Sequence, residues 1–302
     1  MSQYTKEEIV KSVPQKGFFG HPSGLKTLFF TEFWERFSYY GMRAMLVYYM
    51  YAAVSDGGLG LDRDVAIAIM SIYGSLVYMS GIIGGWFADR VFGTSKAVFY
   101  GGIFIMFGHI ALAIPGNVAF FFTSMTLIVI GTGLLKPNVS NMVGDIYPEK
   151  DLRRDSGFSI FYMGINLGSF LAPIIVGTVG MNYNYHLGFG LAAIGMFAGL
   201  VMFVLSRKKH LGLAGLQVPN PLAPETKNKV LGSLALGTII LAIVAYGLGQ
   251  IGILTIQSFI LFVGILGILI PTLYFVVMFR SPKTTPREKT HLTAYIPLFI
   301  AS

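Results

Sequence analysis

Thr31–Leu46 reads TEFWERFSYYGMRAML and lies inside an apolar segment long enough to cross a bilayer. Two glutamates and two arginines, Glu32, Glu35, Arg36 and Arg43, thus sit where hydrocarbon is expected. At about 100° per residue these four, with Tyr39 and Tyr40, fall within about 80° either side of Glu32, whereas Phe33, Trp34 and Phe37 lie outside that sector. From Glu32 to Arg43 the stripe runs about 16 Å along the helix axis, so snorkelling at one end cannot rescue all of it. Each charge costs roughly 2.5–3.5 kcal/mol on insertion scales, while each Leu, Ile, Phe or Val returns only about 0.3–0.6. The stripe must face a bundle interior or a water-filled cavity with opposite charges close together, and the i, i+4 pair Glu32–Arg36 supplies one such contact.

The rest of the chain obeys the same solvent. Its 302 residues are 54% hydrophobic and only 12% charged, too apolar for an ordinary soluble domain. Apolar runs recur at about 28–54, 65–88, 96–115, 119–145, 156–180, 187–206, 229–249 and 257–279, which predicts eight membrane helices. A further apolar segment begins near Thr290 and stops at Ser302, too short to span, so the sequence reads as truncated.

Eighteen of the Lys and Arg residues fall in the N-terminal tail and in every second loop, while the alternate loops hold Arg63 alone. By the positive-inside rule this predicts a multi-pass protein of the cell membrane with a cytoplasmic N-terminus. It also accounts for the net charge of +8 without nucleic acid, since basic residues spread over five short loops make no binding groove. The hydrophilic first two dozen residues predict no cleaved signal peptide. There is no cysteine, no HExxH and no Ser/His pair at matching depth, so thiol chemistry, a metal site and an intramembrane enzyme find no support. No pattern calls for a cofactor.

Three basic residues remain inside spans: Arg36, Arg43 and Lys136. Lys136 precedes Pro137 in IGTGLLKPNVSNMVGD, where Gly131 and Gly133 are expected to weaken the helix, a state tolerated mainly where backbone lines a cavity. Three cations against two anions calls for an acidic partner from elsewhere, a substrate carboxylate or a carboxylate on another helix. GLGQIG at Gly247–Gly252 matches a dinucleotide fingerprint only as a string, because no strand precedes it. The pairs Gly81/Gly85, Gly164/Gly168 and Gly195/Gly199 read as helix contacts, and His109 as a packed histidine rather than a proton relay.

Taken together, ExxERFSYYGMR from Glu32, GGWFADRVFG at Gly84–Gly93, GTGLLKPNVS at Gly131–Ser140 and FYMGINLGSF at Phe161–Phe170 resemble the proton-dependent oligopeptide transporter family of the major facilitator superfamily. The resemblance runs through almost the whole chain, departing at Phe170, where the pattern usually ends in Leu. It implies an all-α integral membrane fold: a cytoplasmic tail (1–27), an N-terminal six-helix bundle (28–206), a cytoplasmic linker (207–228), an inserted transmembrane helix pair (229–279), and a loop with the start of helix seven (280–302). It also implies symport of di- and tripeptides with protons, with small peptides, protons and the lipid bilayer as partners and a missing C-terminal six-helix bundle needed for function. Carried over residue by residue, Glu32, Glu35, Arg36 and Lys136 are the expected proton-coupling cluster. Arg43 and Lys136 would attract a peptide carboxylate, Tyr40 and Tyr78 would shape the pocket, and Asn166 would bond the peptide amide. Gly85, Asp89 and Arg90 match the superfamily's loop motif and are expected to gate and pack rather than touch substrate. Carriage of nitrate or another small anion is the alternative, and a channel or receptor fits least.

Overall fold

A helix that carries four charges through a membrane needs neighbours on most of its circumference. The computed structural model describes residues 4–115, 118–252, 256–282 and 284–301, and it gives α2 such neighbours. The helices run α1 (Lys6–Ser12), α2 (Gly24–Tyr51), α3 (Arg63–Phe87), α4 (Thr94–Ala113), α5 (Val118–Asp145), α6 (Arg153–Ala172), α7 (Thr178–Asn182), α8 (Tyr185–His210), α9 (Pro224–Gln250), α10 (Ile256–Arg280) and α11 (Pro286–Ala301). Each of the eight predicted apolar runs is helical. Five-residue π-helical turns extend α3 through Ala88–Phe92 and join α6 to α7 through Pro173–Gly177. Among the described residues six helical stretches are long and apolar enough to cross a membrane: Arg63–Phe92, Thr94–Ala113, Val118–Asp145, Arg153–Asn182, Tyr185–His210 and Ile260–Arg280. Helix α2 is not among them because of its charges.

The chain divides into two units, Met1–Val244 and Ala245–Ser302. In the first, α2 packs on α6 and α8, α3 on α5, and α4 on both α5 and α8. Glycines set these approaches. A Cβ on Gly164 would meet the Phe29 ring, and one on Gly168 would meet the Phe33 carbonyl, closing α6 onto α2. Gly195 and Gly199 of α8 receive Phe37 and Trp34, on the apolar flank of α2 that the stripe leaves free. The pair Gly81/Gly85 behaves differently. Both face open space, and it is Gly84 that lies against the Gly133 backbone of α5. Spacing identifies two small residues on one face but not which face meets a partner.

Helix α5 also corrects an expectation. It runs unbroken past Pro137, and Gly131 and Gly133 are packing points rather than weak spots. Gly131 abuts Gly101 and Ile105 of α4, and Gly133 abuts Ser80 of α3. The proline withholds the N–H that would meet the Gly133 carbonyl. One residue on, buried Asn138 donates through Nδ2 to the Leu134 carbonyl (2.7 Å) and the Gly84 carbonyl (3.4 Å), fastening that turn to α3. His109 is fully buried, and neither ring nitrogen has a hydrogen bond among the described residues.

The N-terminal segment, expected as a hydrophilic tail, is folded. Thr5 and Glu8 form a capping box that starts α1, and these hydrogen bonds hold the Glu8 carboxyl below its ordinary range. Ile9 and Val13 are buried against the bundle. Lys6 Nζ donates to the Gly144 and Asp145 carbonyls (3.0 Å each), Gln15 Nε2 to the Ile146 carbonyl (3.4 Å), and the Leu213 N–H to Ser12 Oγ (2.9 Å). Arg153 grips Asp151 through Nε (3.0 Å) and Nη2 (2.7 Å), and through Nη1 it donates to the carbonyls of Gln15 and Gly20. His21 Nδ1 lies 3.0 Å from the Tyr147 hydroxyl. The segment after α8 joins the same end. Asn220 N–H donates to the Asp89 carbonyl and Leu222 N–H to that of Arg90, while Gly93, at φ 78°, leaves room for the carbonyls of Gly215, Leu216 and Gln217.

In the second unit α10 and α11 contact each other through Phe275, whose ring lies 6.4 Å from Tyr295 and 5.5 Å from Phe299. A Thr285–Glu288 capping box opens α11, four residues before the apolar stretch that the sequence marks.

Candidate functional site

The first turns of the stripe on α2 become a buried ion cluster. Glu32, Glu35 and Arg36 are 2%, 0% and 4% exposed, on a helix packed against α6 and α8 and more lightly against α3 and α5. Arg36 Nε lies 3.0 Å from Glu32 Oε1 and also contacts Glu35 Oε2. These contacts are ionic rather than aligned hydrogen bonds, for Glu32 Oε2, both Glu35 oxygens and Arg36 Nη2 have no hydrogen-bond partner among the described residues. Carboxylate oxygens this buried normally have donors, and a cluster left short of them has room to accept a proton.

Lys136 stands apart from that knot. It is half-buried on α5, its charge acts on both Glu32 and Glu35, yet it forms no ion pair among the described residues. Its Nζ instead lies 4.6 Å from the centroid of the Tyr78 ring on α3. Arg36 has an aromatic neighbour too, with its Cζ 5.3 Å from the Tyr39 ring centre. Tyr39 stacks on Tyr73 of α3 at 6.4 Å and meets Tyr40 edge-on at 5.2 Å.

The remaining predicted residues are more open. Arg43 is exposed, two turns from Arg36, and its charge reaches Tyr39 and Tyr73. Tyr40 is half-buried, Tyr78 is 68% exposed, and Asn166 is exposed on α6. The structure therefore joins Glu32, Glu35 and Arg36 in direct contact and places Lys136 and Tyr78 together, while Arg43 and Asn166 touch neither group through a hydrogen bond or ion pair among the described residues. Sequence reasoning missed Tyr73, which is buried with its hydroxyl unpartnered. The available signal was a second tyrosine on the helix of Tyr78, five residues before it.

The loop motif lies at the end of the bundle that carries α1. Asp89 and Arg90 are exposed there, Gly85 is half-buried, and Asp89 borders a cavity of about 650 Å³ with Lys6, Thr94, Asp145 and Arg154. Both motif residues engage the segment after α8 through their backbones, and Arg90 Nη1 also reaches the Asn220 carbonyl at 3.5 Å.

Over 302 residues the chain is 66% identical to an uncharacterized transporter, YclF, of Bacillus subtilis (strain 168), covering all of this chain and 61% of the relative. It is 52% identical over 291 residues to a di-/tripeptide transporter of Lactococcus lactis subsp. lactis (strain IL1403), covering 95% of this chain and 59% of that one. It is similar to the peptide transporter POT crystallised in complex with sulfate, with a TM-score of 0.90, 69% identity, and coverage of 99% of this chain and 61% of the other. The chain thus spans about three fifths of the length of the relatives it matches. The sequence profile of the POT family matches residues 95–302, more than half of the chain, and the chain belongs to that family.

Proposed function

We propose that this chain supplies the cationic, proton-handling half of a symporter that brings di- and tripeptides into the cell, working with a second six-helix bundle that carries the opposing acidic groups. The observation that supports this most is the charge count around α2. Glu32, Glu35 and Arg36 carry one surplus negative charge when all are ionised, and Lys136 is the cation near enough to balance it. A peptide carboxylate drawn to Lys136 and Arg43 removes that balance. The buried cluster then returns to neutrality by taking one proton on a glutamate, because an unpaired buried charge is costly. Binding of substrate and uptake of a proton become one event. Tyr40 and Tyr78 border the peptide, Asn166 bonds its amide, and Gly85, Asp89 and Arg90 form a gate on the cytoplasmic side, where the N-terminus also lies. Alternating access then rocks the two bundles about a site near the midplane.

The test is reconstitution in liposomes. The chain together with a C-terminal six-helix bundle should accumulate labelled dipeptide against its gradient only when the outside is acidic, and the chain alone should not. Saturable proton-driven uptake by the chain alone, or uptake indifferent to the proton gradient, would overturn the reading.

A further inference from the structure

We propose that the face of the Tyr78 ring positions Lys136, holding its ammonium away from the Glu32–Glu35–Arg36 knot so that its charge stays available to an incoming carboxylate. This deepens the transport reading and rests on it. Two of the intramembrane cations are held differently. Arg36 is clasped by two carboxylates on its own helix, whereas Lys136 has the Tyr78 ring, 4.6 Å from Nζ, and no ion pair among the described residues. The Tyr78 hydroxyl makes no hydrogen bond among the described residues either, so the contact runs through the ring.

The backbone fixes this encounter. Gly84 of α3 lies on the Gly133 carbonyl of α5, Gly133 lies on Ser80, and Asn138 Nδ2 reaches the Gly84 carbonyl at 3.4 Å. Tyr78 is two residues before Ser80 and Lys136 three residues after Gly133, so the tightest seam between α3 and α5 sets the two side chains opposite each other. An aromatic face attracts an ammonium through its quadrupole but carries no net charge. It can hold the lysine without neutralising it, and a carboxylate, binding a cation more strongly in a water-poor site, can take the lysine from it. Without the ring, the ammonium is free to fall onto Glu32 or Glu35 and would have to be pulled off before it met substrate.

Two measurements test this. In liposomes holding the chain with its complementary bundle, Tyr78→Leu should raise the KM for dipeptide at least about fivefold more than Tyr78→Phe does, with the loss falling on KM rather than on maximal rate. Tyr78→Trp should behave as Phe does. Separately, with the chain in detergent and no transport assayed, Tyr78→Leu should lower the melting temperature by about 2 °C, and that loss should vanish when Lys136→Met is already present. If Phe is as impaired as Leu, or if the two substitutions are additive in the melt, the ring does not position the lysine. Absence of peptide uptake in every variant including wild type would sink the transport reading instead, while the melting cycle would still decide the role of Tyr78.

Discussion

Among the described residues arginine meets carboxylate in two places, and the two contacts share chemistry but not solvent. At Arg36 the side chains of all three partners are at most 5% exposed. At Arg153 the side chain is 40% exposed and that of Asp151 10%, and the guanidinium completes its coordination with backbone carbonyls of the N-terminal segment. In water such a pair gains little, because solvent serves each ion nearly as well as the partner does. In the bundle no solvent stands in, and removing one ion leaves the others stranded. The comparison teaches that a change in charge balance costs far more at the interior contact, while the peripheral one ties the N-terminal segment to the start of α6.

The largest expected effect lies in the interior. In liposomes holding the chain with its complementary bundle, Glu32→Gln or Glu35→Gln should reduce uphill, proton-driven uptake to the level of protein-free liposomes while exchange of labelled for unlabelled peptide survives, and Arg36→Ala should also cost about 3–5 kcal/mol in stability. Normal uphill uptake in both glutamine variants would remove the coupling role and with it half of the contrast. Next comes a change that moves Arg36 without touching a charge. A Cβ at Gly168 already meets the Phe33 carbonyl and comes within 3.2 Å of Arg36 Cβ, so Gly168→Val should cost about 1–3 kcal/mol by overpacking and depress uptake with it. Unchanged uptake would mean that the placement of the arginine is not critical.

The periphery predicts smaller numbers. His21 is buried beside Tyr147, with Arg153 and Asp151 as its charged neighbours, and burial first and Arg153 second hold its pKa below the ordinary 6.5. The unfolded segment then binds a proton more readily than the docked one. Docking is strongest above pH 6.5 and weakens as the pH falls through the interval down to the lowered value. Protection factors of the amides in residues 4–23, corrected for the intrinsic exchange rate at each pH, should fall from pH 7 to 5.5 in wild type and not in His21→Gln. An equal fall in both would assign the effect elsewhere. Smallest of all, Asp151→Asn should cost about 0.2–1 kcal/mol and leave uptake unchanged. Hydrogen bonds from Arg153 hold the Asp151 carboxyl below its ordinary 3.8, so this contribution is present above pH 3.8 and is lost only as the pH drops through the lowered value. An interior-sized penalty here would erase the distinction between the two sites.

The interior was legible in the sequence because its cost is local. Four charges in an apolar helix admit few arrangements, and their angular clustering already names the buried face. Segment length did the same for the helices, although polar ends were under-read: α9 begins at Pro224 and α8 runs to His210, where charged turns continue a helix beyond its apolar stretch. What resisted reading depends on partners distant in sequence. Ile9 and Val13 are two apolar positions in a polar stretch, and nothing near them announces Ile146, Arg153 or Leu213 as the surface they dock on. Gly84 looked no different from Gly81 and Gly85 until α5 stood beside it. Lys136 over Tyr78 leaves no trace in spacing, because an ammonium on an aromatic face involves no second charge.

The composition of α2 bears on how the chain is made. Its packing partners α6 and α8 emerge late: α8 ends at His210, about 160 residues after α2 ends at Tyr51. At about 5–20 residues per second, roughly 8–32 s pass between the two events. For that time the first helix waits without its walls. Yet Glu32, Glu35, Arg36 and Arg43 sum to zero, and the Glu32–Arg36 contact lies within the helix itself, so it exists as soon as that turn has wound. Helix α2 carries its own counterions to the translocation machinery. Reversing the sign of any one of these four side chains would leave the nascent helix with a surplus of two charges throughout that wait, and the first symptom would be failed insertion rather than failed transport.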